Sequence, residues 1–75
     1  MDGYKVYPEI GSSYRHYKGG TYSVITMCTH SETGEVLVIY RSELFGTVYA
    51  RPLDMWFEDV MLEGDDEIKK RFVKI

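Results

Sequence analysis

Residues 21–29, TYSVITMCT, and residues 35–41, EVLVIYR, flank the pentapeptide His30-Ser31-Glu32-Thr33-Gly34. β-Branched and aromatic side chains dominate both flanks, and such residues fit a pleated surface. The polar, glycine-ended pentapeptide reads as the connection of a hairpin. Val36-Leu37-Val38-Ile39 is apolar at four successive positions, so both faces of that strand are expected to be buried, the mark of a central strand.

Working outward, residues 14–18 form a short strand and Gly19-Gly20 a turn, because glycine reaches positive φ cheaply. Residues 42–46 read as a loop and 47–51 as a fourth strand. Pro52 has no N–H for a ladder and can open a helical turn, expected within 53–57. Residues 58–62 return to an extended pattern, 63–67 form an acidic turn, and 71–75 close the fold as a strand with Phe72 and Ile75 pointing inward. The pattern predicts an all-β fold: a small SH3-like barrel or a strongly bent antiparallel sheet of five to six short strands. An OB-like barrel fits a chain of this length less well. Residues 1–13 read as an N-terminal arm or edge strand and residues 14–75 as a single small β domain.

Seventy-five residues make one domain at most, and one that buries only about 60% of the surface of its unfolded chain. A single cysteine excludes an internal disulfide, and no Cys/His set has the spacing of a zinc site. Cohesion must come from packing of the seven Tyr, three Phe and one Trp. The net charge is −3, with the acids concentrated after residue 54. A broad basic face is therefore absent, and tight binding of duplex nucleic acid is not expected. The N-terminus has no signal-peptide pattern, and no stretch approaches the roughly 20 apolar residues of a membrane span. With a free Cys28, these features point to a cytoplasmic protein without membrane partners.

Tyr14-Arg15-His16-Tyr17-Lys18 alternates rings with cations. A strand would put Tyr14, His16 and Lys18 on one face and Arg15 and Tyr17 on the other. Arg41 follows Tyr40, and Arg51 lies two residues after Tyr49. Guanidinium forks pair with carboxylate or phosphate and stack on rings. Either these arginines pair with Glu32, Glu35 or Glu43, or they build a concave patch for an anion bearing an aromatic group. His16 and His30 are the only histidines, and with Glu32 they are the only conceivable catalytic or metal-binding set. A strand histidine and a turn-capping histidine are the preferred reading, because two histidines without a third ligand make a poor zinc site. No metal, cofactor or catalytic residue is assigned. Cys28 has neighbours that offer no base or charge, so a buried, inert thiol is expected. Trp56 belongs to the core on one reading. It faces outward as an interaction surface on another, in which Met55 and Phe57 point inward along an extended segment.

Four segments, YRHYKG at 14–19, HSET at 30–33, VIYR at 38–41 and RPLDM at 51–55, together resemble domain-of-unknown-function family 1653, small proteins of bacteria and their phages. The likeness spans about residues 12–75 and implies a compact single-domain β protein without supplying an activity. Trp56 between Met55 and Phe57, and the longer acidic stretch before Arg71, depart from the family pattern.

The residues thus suggest a non-enzymatic binding module for a small anionic or nucleotide-like ligand. Its candidate residues are Tyr14, Arg15, His16, Tyr17, Lys18, His30, Arg41 and Arg51. The alternative is a protein-interaction or homodimeric module presenting Leu44, Phe45 and Trp56.

Overall fold

In a computed structural model, the structure describes residues 7–61 and 68–75. The chain runs β1 (Ser13–His16), β2 (Thr21–Thr29), β3 (Val36–Ser42), β4 (Val48–Pro52), α1 (Leu53–Trp56), β5 (Asp59–Met61), β6 (Ile68–Lys70) and β7 (Phe72–Lys74). Strands β1 to β4 form an antiparallel meander. The chain then crosses through α1 and the β5–β6 pair to set β7 beside β1, giving the order β4-β3-β2-β1-β7. The acidic turn expected at 63–67 lies outside the described residues.

The sheet is strongly bent. Neighbouring strands lie about 4.8 Å apart, so β4 and β7 would be roughly 19 Å apart in a flat five-stranded sheet. Yet the Arg51 guanidinium of β4 sits 5.7 Å from the centre of the Phe72 ring of β7, closer than the two side chains could reach across a flat sheet. Part of the bend comes from β2, where the register slips between Val24 and Thr26. One extra residue on one strand bends it and raises its twist.

The same bulge reverses which residues point inward. Tyr22 and Val24 face the core before it, and Met27 packs against the core after it. Without the bulge, Cys28 would share the inward face of Tyr22 and Val24. With it, Cys28 turns outward and is exposed, which corrects the expectation of a buried thiol.

The bent-sheet expectation holds, whereas a closed barrel does not form. Edges β4 and β7 pair with inner strands and not with each other. Side chains fill the space between them instead, with Trp56 at the centre. Its ring stacks on Phe72 at 3.8 Å and 3° and receives the edges of Tyr14 at 5.3 Å and Tyr40 at 5.2 Å. Only 1% of Trp56 is exposed. The residue therefore cannot serve as an interaction surface, because 53–56 is helical and not extended. Helical spacing of three puts Leu53 and Trp56 on one buried face and leaves Met55 and Phe57 exposed.

The inward face of β3 carries Val38, Tyr40 and Ser42, all buried, while Leu37 and Ile39 on the other face are half-buried. The doubly buried central strand expected there is thus covered on one side, and β2 occupies the centre of the sheet. The extended segment expected from residue 58 pairs as β5 with a further strand, β6, at Ile68–Lys70; Ile75, expected inward, is exposed.

Replacing Trp56 by Ala should cost about 3–5 kcal/mol, measured by urea unfolding, whereas Met55→Ala should stay within about 0.5 kcal/mol. Similar losses for the two would contradict the central position of the indole.

Candidate functional site

The sequence stretch 14–18 does not act as one unit. The strand stops at His16, so only Tyr14, Arg15 and His16 alternate. Tyr14 points into the core, where its hydroxyl accepts the Glu9 N–H at 2.8 Å. It is buried, so it is not available to a ligand. Tyr17 lies in the following turn, its ring 4.5 Å from that of His16 and tilted by 33° to it, instead of taking the Arg15 face. Lys18 lies 5.7 Å from the Tyr17 ring. Gly19 closes the turn at φ +109°, a conformation only glycine adopts at low cost.

The three arginines separate. Arg15 on β1 and Arg41 on β3 share the outer face, since Ser13, Ser23 and Arg41 are successive cross-strand partners. Arg51 sits on the inner face, half-buried, donating from Nε to the Tyr40 hydroxyl at 3.2 Å. Among the described residues no ion pair joins any of the three to Glu32, Glu35 or Glu43. Glu43 instead accepts the hydroxyls of Ser13 (2.6 Å) and Ser23 (2.5 Å), and these bonds hold its carboxyl below the ordinary carboxylate range.

The two histidines do not meet. The nine residues of β2 lie between them, roughly 30 Å of extended chain. His30 Nδ1 accepts the N–H groups of Glu32 and Thr33 at 3.1 and 3.3 Å, so it caps the β2–β3 turn. Among the described residues no three His, Cys, Asp or Glu converge as a metal site.

What the fold does assemble is a groove of about 440 Å³ where the end of β1 and the 17–20 turn meet β6 and β7. Arg15, His16 and Tyr17 contribute to it, together with Lys69, Lys70, Val73 and Ile75. Its charged lining is basic, with no carboxylate among the described lining residues. Lys70 also reaches Asp59 at 3.0 Å, with both side chains exposed, a pairing that water and a competing anion can readily replace. The Lys69-Lys70-Arg71 triplet was visible in the sequence as a local run of positive charge. Only the fold places two of its members opposite Arg15.

His16 stands at the junction of this groove and the aromatic interior, edge-on to Phe72 at 4.9 Å. Burial, reinforced by the charges of Arg51, Arg71 and Lys18, pushes its imidazole below the ordinary value of 6.5. Its Nδ1 accepts the Lys18 N–H at 3.2 Å, as a neutral ring can.

Residues 12–74 match the family model described as a protein of unknown function, DUF1653. The crystal structure of a protein belonging to that family from Bordetella bronchiseptica is 27% identical, with a TM-score of 0.75 over 100% of this chain and 91% of the other. No curated protein matches the sequence.

Because folded His16 binds its proton more weakly than the unfolded chain does, protonation favours unfolding. Stability should fall as pH drops from about 6.5 towards the lowered folded value, with the unfolded state taking up the proton. Urea midpoints between pH 7.5 and 5 should show this decline in the native chain and a flatter profile in His16→Gln.

Proposed function

Because the chain belongs to the DUF1653 family, whose description assigns no function, we propose one from its own geometry: a non-enzymatic binding module for a small anionic, nucleotide-like ligand. The observation that carries the reading is the groove beside β7, whose lining combines Arg15 and Lys70 with the Tyr17 and His16 rings, which lie 4.5 Å apart and tilted by 33°. A phosphate would take the guanidinium fork of Arg15 and the Lys70 ammonium. A base would lie against Tyr17, whose ring is partly accessible. Stacking of this kind is worth about 1–3 kcal/mol per base and tolerates different bases. Val73 and Ile75 supply an apolar wall.

This reading narrows the sequence-based set. Arg15, His16, Tyr17 and Lys18 remain with the groove and its rim. Tyr14 is core, and His30 and Arg41 lie elsewhere. Arg51 lies outside the groove lining, and its charge helps to lower the His16 imidazole. The non-enzymatic reading rests on the lack of an assembled nucleophile, base and orienting group among the described residues. Cytoplasmic placement fits a free thiol on the surface; no helix among the described residues is long and apolar enough to cross a membrane.

A second reading, a protein-interaction module, is favoured by one observation. Leu44 and Phe45 are 81% and 77% exposed at the tip of the β3–β4 turn. They border a groove of about 490 Å³ that also takes in Tyr22 and Tyr49.

Amide NMR titration with adenosine monophosphate, a cyclic dinucleotide and a short single-stranded oligonucleotide distinguishes the two. Shifts should cluster at residues 15–19 and 69–75, and Arg15→Ala should weaken binding at least ten-fold, as loss of a charge-assisted hydrogen bond implies, with an unchanged melting temperature. Absence of shifts at millimolar ligand would remove the anion reading and turn attention to Leu44 and Phe45.

A further inference from the structure

The open edge of β4 supports an inference independent of the groove. Ser42 donates its N–H to the Thr47 carbonyl at 2.9 Å and accepts the Gly46 N–H at 2.8 Å. The backbone groups of Ser42 therefore face β4. Antiparallel ladders alternate, so those of Tyr40 and Val38 face β4 as well and pair with Tyr49 and Arg51. Val48, Ala50 and Pro52 consequently turn their backbone groups away from the sheet. Among the described residues no strand pairs with that side. Proline, which has no N–H, stands at one of the outward positions, where an unpaired donor would otherwise sit.

An edge left open in this way normally carries a blocking device: an added charge, a bulge or a covering segment. Edge β7 has one, since it is three residues long and its Lys74 is ion-paired to Glu9 at 2.6 Å. Edge β4 carries Val48 and Tyr49, 55% and 43% exposed, and an exposed Ala50. Only its last position is blunted, by Pro52.

The sequence of this edge is complementary to itself. With a two-fold axis at Ala50, two antiparallel copies place Ala50 opposite Ala50, Tyr49 opposite Arg51 and Val48 opposite Pro52. Ala50 N–H and carbonyl groups bond reciprocally across the axis. On the inner face Tyr49 and the partner's Arg51 form a non-hydrogen-bonded pair, while each guanidinium keeps its place over Phe72 and its bond to Tyr40 within its own chain. On the outer face Val48 packs on the partner's Pro52 with only a methyl between the two contacts. No like charges stand directly opposite. We propose that a second copy of this chain pairs along β4, joining two five-stranded sheets edge to edge in an isologous dimer.

The test is sedimentation equilibrium of the full chain, combined with NMR on a mixture of labelled and unlabelled protein. The expected result is a species of twice the 8.8 kDa chain mass at micromolar concentration, with an inter-chain contact between the Tyr49 and Arg51 Hα atoms, which approach closely in a non-hydrogen-bonded pair. Ala50→Pro removes a donor that faces no strand among the described residues and should weaken the dimer at least ten-fold. If that variant fails to fold, Val48→Lys, a change on an exposed outer-face side chain, carries the same expectation. A monomer at several hundred micromolar, a dimer unaffected by both changes, or a dimer without the Tyr49–Arg51 contact would overturn the proposal.

Discussion

The parallel stack of Trp56 on Phe72, 3.8 Å between ring centres, is the interaction on which the rest of the structure depends. The two residues come from the crossover helix and from the last strand, so their contact ties the returning chain to the meander. Tyr14 of β1 and Tyr40 of β3 approach the indole edge-on from the two strands that flank β2. Offset and edge-to-face ring pairs add about 0.5–1.5 kcal/mol each beyond the area they bury. In a domain this small, with a single cysteine and so no internal disulfide, such pairs replace the larger aliphatic core that a longer chain would have.

The strands were legible because they rest on local chemistry. β2 matches its expected bounds, the 30–34 turn falls where expected, and the proline-initiated helical turn follows Pro52, whereas the first turn opens at Tyr17, two residues before its glycines. What escaped was non-local or cumulative. Nothing in TYSVITMCT distinguishes the bulge after Val24 from an unbroken strand, yet that slip decides the facing of every later residue in β2, Cys28 included. Trp56 was ambiguous because strand and helix periodicities assign opposite facings to one indole; only packing selects between them. The barrel expectation failed because side chains, and not backbone bonds, bridge the gap between β4 and β7.

The candidate site was half legible for a related reason. The ring-and-cation alternation of 14–18 was visible, but strand alternation ends at His16, and the partners of Arg15 come from β6 and β7, more than fifty residues away in sequence. The arginines that looked equivalent along the chain fall on different faces. Arg51 stabilises the interior by bonding Tyr40 and covering Phe72, while Arg15 is exposed towards a groove. A shared residue type concealed two different physical roles, one structural and one open to a ligand. Membership of DUF1653 is consistent with the fold and leaves that second role to be decided by the groove itself.

The pairing of β1 with β7 has an entropic consequence. Tyr14 and Lys74 are direct cross-strand partners although sixty residues separate them, whereas the β2–β3 connection spans only residues 30–35. Closing a loop ten times longer costs about 2 kcal/mol more in chain entropy. The meander can therefore assemble from short closures, but the seam between the first and last strands must wait for long-range closure and for the indole stack that rewards it. In chain entropy, closing that seam is the most costly of the strand pairings in the five-stranded sheet, and the indole stack offsets that cost only once the last strand has returned.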